Sequence, residues 1–165
     1  MLKKVLSLLL AAATILGLMV CGASATEPTE APAAAKSDEN HYPVSIRCYD
    51  YARNHVEMVF EKAPERVLTY SLNSVENMIA LGLEDKIVMA MSVKPERVLP
   101  KYREAFDRIQ ATTTEFLSKE DVLTLQPDFI LAWYSSFEDK RLGDVHFWNE
   151  RGINTYMAYN SACVT

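Results

Sequence analysis

The 165-residue chain has few of the glycines that nucleotide-binding and many catalytic motifs require. It contains 5 glycines, and neither a G-x-x-x-x-G-K-[ST] loop nor a G-x-G-x-x-G turn occurs among them, so no phosphate-binding loop is predicted. A G-x-S-x-G turn, which presents a nucleophilic serine, is also absent. We therefore expect no catalytic residues and no cofactor, and we do not expect an enzyme.

Histidine is scarce as well, and acidic residues outnumber basic ones. The three histidines, His41, His55 and His146, are scattered along the chain, whereas a metal site needs several ligands that converge. His146 and Glu150 have the i, i+4 spacing of a metal-binding pair, but the same spacing describes a solvated helix face. The net charge of −5 and the pI of about 5.2 leave no basic stripe for nucleic acid. Neither a metal site nor a nucleic-acid partner is predicted.

The first 25 residues have the features of an export signal. Lys3 and Lys4 precede the apolar run 5–20, which is too short to span a bilayer comfortably. Two processing routes remain open. In the first, the stretch LMVCG resembles a lipobox, the signal comprises residues 1–20, and Cys21 carries a lipid. In the second, cleavage after Ala25 releases a soluble protein. Both routes predict an exported protein, either periplasmic or a cell-surface lipoprotein whose one membrane contact is the lipid anchor.

Residues 26–41 are rich in Pro, Ala and Glu and have no apolar period, which predicts a disordered tether. The globular domain is expected at 42–165. Cys48 and Cys163 are its two cysteines, and the sequence leaves open whether they pair or whether Cys48 is a buried free thiol.

Alternating apolar and polar residues at 46–60 predict a β-hairpin with its turn at Arg53-Asn54. After it, strands alternate with helices, which predicts an α/β fold: a three-layer, Rossmann-like lobe with a mostly parallel sheet. The predicted strands are 67–70, 87–91, 129–133 and 153–159. The predicted helices begin at a cap on Asn73, near Tyr102, at a cap on Ser118, and at Ser135 or Ser136, the last running to Arg151.

Aromatic and small polar residues follow the predicted strands where each one ends. These pairs are Tyr70-Ser71, Met91-Ser92, Trp133-Tyr134 and Tyr159-Asn160. Ligands of parallel α/β sheets bind outside the carboxyl ends of the strands, and rings beside hydroxyls are typical of small-molecule sites. The sequence therefore predicts a ligand site at this edge.

Three short motifs resemble one family of proteins. They are P-x-R-V at 64–67, the strand–helix run ending in A-L-G-L at Leu83, and E-x-x-x-x-L-x-P-D-x-I from Glu120 to Ile130. In this order the chain resembles the substrate-binding proteins of bacterial ABC importers for iron-siderophore, haem and cobalamin, in the class whose two lobes are joined by one long helix. The resemblance runs from the hairpin to Thr165.

The resemblance implies roles for individual residues. Glu120 matches an exposed glutamate that docks on the ABC permease, although a helix dipole also favours an acid there. Trp133, with Tyr134 next to it, matches an aromatic presented to the ligand. Further ligand contacts are expected where the first lobe lines the cleft and in the following cationic loop, at Tyr70, Ser71, Asn73, Lys94 and Arg97.

The chain departs from the family in length. It stops after YNSACVT, where the linking helix is expected, so we interpret it as an N-terminal lobe with the second lobe absent. The leading hypothesis is the extracytoplasmic substrate-binding component, truncated to its first lobe, of an importer for a metal chelate. The alternative is a secreted or lipid-anchored interaction or sensor module with the same fold and no transport role.

Overall fold

The structure, a computed structural model, describes residues 41–158 of the chain. The strands are β1 Val44–Tyr49, β2 His55–Phe60, β3 Val67–Tyr70, β4 Ile87–Met91, β5 Thr112–Thr113, β6 Phe129–Trp133 and β7 Asn154–Ala158. The α-helices are α1 Leu72–Ala80, α2 Arg103–Phe106, α3 Lys119–Thr124 and α4 Val145–Asn149, and short 3-10 turns cover Glu84–Lys86, Pro95–Arg97, Pro100–Tyr102 and Tyr134–Phe137.

The predicted β-hairpin is confirmed. Strands β1 and β2 pair antiparallel, with Cys48 opposite Val56 and Ile46 opposite Met58. Val56, Met58 and Phe60 alternate with exposed residues and are buried. The hairpin therefore lays one apolar face on the rest of the domain, and the buried Cys48 is an unpaired thiol whose pKa is raised by desolvation.

The main sheet is parallel and its strand order is β5-β4-β3-β6-β7, which confirms the predicted α/β class. The chain builds outward from β3 to β5 and then returns to place β6 on the other side of β3. Because such crossovers are right-handed, the helices of the two halves lie on opposite faces of the sheet. The point between β3 and β6, where the direction reverses, is the topological switch point.

Two apolar cores fill the two faces. On one face, Val75, Met78 and Ile79 of α1 pack with Phe106 of α2 against β3 and β4. On the other face, the hairpin, α3 and α4 contribute the buried side chains Met58, Val122, Val145 and Trp148. The lobe is thus layered on both sides of the sheet, as the strand–helix alternation predicts.

The start of α3 is as predicted. The Ser118 hydroxyl accepts a hydrogen bond from the Asp121 N–H at 3.1 Å, and the Asp121 carboxylate accepts one from the Ser118 N–H at 3.3 Å. This capping box satisfies two N–H groups that the first turn leaves without partners.

The predicted cap on α1 is wrong. Asn73 lies inside the helix and is exposed, while Ser71 occupies the N-cap position without a side-chain cap hydrogen bond. Glu76, predicted to complete a capping box, instead accepts a hydrogen bond from the Leu99 N–H at 2.8 Å. Tertiary contact with the 95–102 loop therefore overrides the local capping pattern. The stop at Gly82 is correct, since this residue has a φ of 69°.

Two helices are shorter than predicted and one strand was not predicted. The helix expected from Ser135 or Ser136 to Arg151 is replaced by a 3-10 turn, an irregular stretch and the short α4. Gly143 has a φ of 70° and Asp144 caps α4 through the His146 N–H, so the chain restarts its helix here. The helix expected near Tyr102 is limited to α2, and the two-residue β5 carries too little apolar pattern to be recognised.

The amino ends of β3 and β6 are tied together by two residues of the short motifs, Arg66 and Asp128. The Asp128 carboxylate accepts hydrogen bonds from the backbone N–H groups of Glu65 and Arg66, both at 2.9 Å. The Arg66 guanidinium donates to the carbonyls of Leu125 and Gln126, at 2.6 and 2.9 Å. These carbonyls end α3, so Arg66 caps that helix.

Several predicted features lie outside the described residues. They are the signal peptide, the tether up to residue 40, the lipidation site Cys21, and the strand end Tyr159-Asn160 together with Cys163. Between residues 41 and 158, no helix has the length and apolar character needed to cross a membrane.

Candidate functional site

The carboxyl edge of the sheet gathers the aromatic strand ends. The register pairs Thr69 with Leu131, so its continuation brings Ser71 next to Trp133 across the switch point. Neighbouring strands are about 4.8 Å apart, which makes Tyr70, Ser71, Trp133 and Tyr134 close neighbours. This is the crevice in which ligands of open α/β sheets bind.

Tyr70 is buried, with 4% of its surface exposed. Among the described residues its hydroxyl has no partner in good hydrogen-bond geometry, although a buried polar group normally has one; the Arg141 side chain approaches it without completing such a bond. Desolvation raises the pKa of Tyr70, and the nearby Arg141 guanidinium opposes that rise. The unpartnered hydroxyl marks a position at which a water molecule or a ligand atom would be stabilised.

Phe116 and Arg141 join Tyr70 at this edge, and neither was predicted from the sequence. The Phe116 ring stacks on Tyr70 with 5.4 Å between the ring centres, and it is 52% exposed. The Arg141 guanidinium carbon lies 4.9 Å from the centre of the Phe116 ring, and one of its nitrogens donates to the Ser135 carbonyl at 3.2 Å. Phe116 closely follows strand β5, so recognition of that strand in the sequence would have placed Phe116 near the carboxyl edge.

Ser71 has a strained backbone. Its φ of 82° and ψ of 159° fall in a region that only glycine adopts readily. The Ser71 N–H donates to the Met91 carbonyl at 2.9 Å, which ties β3 to β4 here. The Ser71 hydroxyl is buried and, within residues 41–158, has no partner. Strain of this kind is concentrated at functional sites.

Trp133 ends β6 and Tyr134 directly follows it, and both residues are half-buried. Residues of β6 alternate, so that Ile130 and Ala132 are buried on one face while Trp133 lies on the other face with Leu131. The Trp133 N–H donates to the Ser136 hydroxyl at 3.3 Å, which begins the following turn. Both rings therefore retain surface that a ligand can contact.

Asn73, in the first turn of α1, and Lys94 and Arg97, in the loop after β4, are exposed. Lys94 and Arg97 flank the 3-10 turn after β4, where the Arg97 N–H donates to the Lys94 carbonyl at 2.9 Å. In the part of the chain that the structure describes, no hydrogen bond, ion pair or ring contact joins Lys94 or Arg97 to Tyr70, Trp133 or Tyr134. The structure brings together four of the seven predicted ligand-binding residues.

Glu120 lies in the first turn of α3 and is exposed. Helices in this fold run antiparallel to the strands, so the start of α3 is at the carboxyl edge. Across residues 41–158 its carboxylate forms no ion pair or side-chain hydrogen bond, whereas neighbouring Asp121 is engaged in the capping box. Glu120 is free to contact another protein.

Within the described residues, no group of three or more His, Cys, Asp or Glu side chains could hold a metal ion. His146 does not pair with Glu150; its Nε2 lies 3.8 Å from a carboxylate oxygen of Asp50.

Two cavities lie away from the carboxyl edge. One cavity, of about 440 Å³ and with a mixed polar and apolar lining, is formed by the end of the hairpin, Asp128 and Asn154, at the amino ends of the strands. An apolar cavity of about 540 Å³ is lined by Leu81, Leu83, Phe129, Leu131 and Tyr156 among others. Neither contains the orphaned hydroxyls described above, and we place the candidate site at the carboxyl edge on chemical grounds.

A periplasmic binding protein from Veillonella parvula is similar to this chain in both sequence and fold. The two are 36% identical with a TM-score of 0.65, over 71% of this chain. The resemblance to periplasmic binding proteins is confirmed. The similarity covers 37% of the V. parvula protein, so this chain spans well under half the length of that periplasmic binding protein.

Weaker structural similarity extends to other binding proteins. A protein of an ABC-type Fe³⁺-hydroxamate transport system from Saccharomonospora viridis is 24% identical with a TM-score of 0.53, over 71% of this chain and 39% of its own. The haem-binding protein HmuT is 20% identical with a TM-score of 0.48, over 76% and 38%. No protein-family model and no curated protein matches the sequence.

Proposed function

We propose that this chain is one lobe of the substrate-binding protein of an ABC importer, and that its carboxyl edge captures an iron-siderophore, haem or cobalamin-like chelate. The observation that carries the proposal is the pair of buried hydroxyls of Tyr70 and Ser71 at the switch point, neither of which has a partner in good hydrogen-bond geometry within residues 41–158. They lie where the fold binds ligands, beside the exposed ring of Phe116.

The lobe acts by capture and not by chemical conversion. The rings of Phe116, Trp133 and Tyr134 offer flat apolar surface to a ligand, and the hydroxyls of Tyr70 and Ser71 offer it hydrogen bonds. Arg141 adds a charge-assisted partner for an anionic oxygen, since its guanidinium has donors beyond the one used by Ser135. The ligand class is taken from the family that the motifs resemble.

The second wall of the site would come from a second lobe, in the part of a periplasmic binding protein that the matched region does not cover. In support, the similarity to the V. parvula protein covers 37% of that protein. A ligand held by one wall buries less surface and makes fewer contacts than a ligand between two. The lobe alone should therefore bind weakly, and the complete protein tightly.

The protein functions outside the cytoplasm, as a periplasmic protein or as a lipoprotein anchored through Cys21, and Glu120 docks it on the ABC permease. The support for docking is that Glu120 is exposed on a rigid capped helix and has no partner within residues 41–158. Its place at the carboxyl edge would put the permease beside the ligand.

Intrinsic fluorescence tests the proposal because the chain has two tryptophans in different places. Trp148, on α4, is fully buried in the core, whereas Trp133 is half-buried at the candidate site. Titration with haemin and with a ferric hydroxamate chelate should quench the wild-type chain saturably, and Trp133→Phe should lose most of that quenching. Absence of saturable binding of every chelate tried, cobalamin included, would favour the sensor or interaction module.

A further inference from the structure

The turn of the hairpin reaches the candidate ligand site, although the hairpin belongs to a separate sheet. Tyr51, in this turn, stacks face to face on Tyr134, with 4.5 Å between the ring centres and 17° between the ring planes. Tyr134 directly follows β6 at the carboxyl edge. A residue of the hairpin therefore adjoins one of the rings that form the candidate site.

The turn is held rigidly by Asp50. Its N–H donates to the Asn54 carbonyl at 3.0 Å, and its carbonyl accepts from the Arg53 N–H at 3.0 Å. Its carboxylate accepts from the N–H and the side-chain amide of Asn54, at 2.7 and 2.8 Å. Asp50 is 8% exposed. Because four hydrogen bonds fix the loop, Tyr51 is positioned before any ligand arrives, which lowers the entropy lost on binding.

Tyr51 keeps exposed surface although it stacks on Tyr134. It is 37% exposed, so one side of the ring is covered by Tyr134 while the remainder faces solvent. Arg141 links this stacked pair to the pair Tyr70–Phe116. Its guanidinium carbon lies 4.9 Å from the centre of the Phe116 ring, and one of its nitrogens donates to the carbonyl of Ser135, the residue after Tyr134.

We propose that the hairpin turn 50–54 is one wall of the ligand site and that Tyr51 contacts the ligand and helps determine which ligands are accepted. This inference rests on the proposed function. A stacked pair of tyrosines presents ring edges and two hydroxyls at a fixed separation. The turn thus supplies a stacking and hydrogen-bonding contact that the five-stranded sheet alone does not provide.

The experiment compares Tyr51→Ala, Tyr51→Phe and Tyr51→Leu with a matched control, Tyr156→Ala. Tyr156, on β7, is 39% exposed, which is close to the exposure of Tyr51. It lines the apolar cavity, which lies away from the candidate site. Fluorescence titrations with haemin and with a ferric hydroxamate chelate measure affinity, and near-UV circular dichroism with thermal unfolding confirms that each variant is folded.

For the chelate that binds, Tyr51→Ala should weaken binding about threefold to tenfold, the range expected for one aromatic contact. Tyr51→Phe should bind nearly as the wild type, Tyr51→Leu should lie between, and Tyr156→Ala should be unchanged. If the wild type binds and Tyr51→Ala binds equally well, this inference is overturned and the proposed function stands. The same holds if Tyr156→Ala weakens binding as much as Tyr51→Ala does. Failure of the wild type to bind any chelate would overturn both.

Discussion

Arg66 and Asp128 hold the amino ends of β3 and β6 together through four hydrogen bonds to backbone groups. Each belongs to one of the short motifs by which the sequence resembles periplasmic binding proteins. Their side chains satisfy N–H groups before β3 and carbonyls after α3. The two motif residues therefore have a structural role in holding the sheet together, and they do not indicate which ligand is bound.

Removing the Asp128 carboxylate should destabilise the domain. Asp128→Ala leaves the Glu65 and Arg66 N–H groups without their acceptor, and a hydrogen bond to a charged group contributes about 1.5–3 kcal/mol. We expect a loss of stability near the lower end of this range because Asp128 is partly exposed. Urea unfolding measures it, with Asp107→Ala, an exposed acid that forms no side-chain contact among the described residues, as the control. Equal stability of the two variants would contradict the role given to Asp128.

Arg66→Lys should not be a conservative change. The guanidinium spans two carbonyls at once, and a lysine ammonium lacks that planar fork. We expect Arg66→Lys to recover little of the stability lost in Arg66→Ala, as measured by thermal unfolding. Full recovery by lysine would mean that charge alone, without the paired geometry, is sufficient.

Ser71→Gly should stabilise the isolated domain. The φ and ψ of Ser71 cost about 1–3 kcal/mol in a residue with a side chain, and glycine removes both this strain and an unpartnered hydroxyl. Ser71→Ala removes the hydroxyl alone and should gain less. Urea unfolding of the three proteins gives the comparison, and a glycine variant less stable than wild type would show that the strain is absent. If the hydroxyl also binds ligand, Ser71→Gly should bind more weakly while unfolding later.

The Glu84–Arg108 pair should make stability depend on acid pH. The hydrogen bond from Arg108, at 2.6 Å, is the main cause that lowers the pKa of Glu84 below its usual value of 4.5. The folded state therefore binds this proton less readily than the unfolded state does. The stabilisation is present above the usual pKa and is lost as the pH falls through the lowered value.

Arg108→Gln should consequently be less stable than the wild type at neutral pH, and the difference in stability between the two should shrink in acid. Chemical unfolding at a series of pH values from neutral to about pH 3 measures this difference. Glu104→Gln is the control, because Glu104 also neighbours Arg108, at 3.5 Å, but is almost fully exposed. A difference that stays constant with pH would rule out the linkage to Glu84.

Glu120→Arg should abolish import in the complete protein while leaving ligand binding intact, if Glu120 docks on the permease. A helix-dipole role alone contributes about 0.3–1 kcal/mol to stability and would leave import unchanged. Ligand uptake by cells that carry the importer measures the effect. Glu61→Arg, at an exposed acid beyond the end of β2, is the matched charge reversal. Normal uptake with Glu120→Arg would remove docking through this residue.

The fold was largely predictable from local pattern. The strand bounds 67–70, 87–91 and 129–133 agree with the structure because these buried runs are apolar and bounded by clear turn residues. The cap at Ser118 agrees because a capping box is a local interaction. Asn73 failed as a cap because Glu76, its expected partner, is engaged by the 95–102 loop, a contact that no local pattern contains.

The candidate site was only partly predictable. Strand ends could be read from the sequence, which gave Tyr70, Ser71, Trp133 and Tyr134. Phe116 lies in the loop after an unpredicted strand, Arg141 in a stretch expected to be helical, and Tyr51 in the turn of another sheet. Their proximity depends on strand order, which the sequence pattern does not specify.

The central pair β3–β6 joins two segments that are far apart along the chain. A nascent polypeptide that has not yet reached Phe129 has only half of the crevice, and the rings of Trp133 and Tyr134 do not yet exist beside Tyr70. Under the proposed function, ligand affinity should thus arise late during synthesis, well after the N-terminal segment that is predicted to be an export signal has been made. A chain built in this order would have little opportunity to bind the proposed chelate before export.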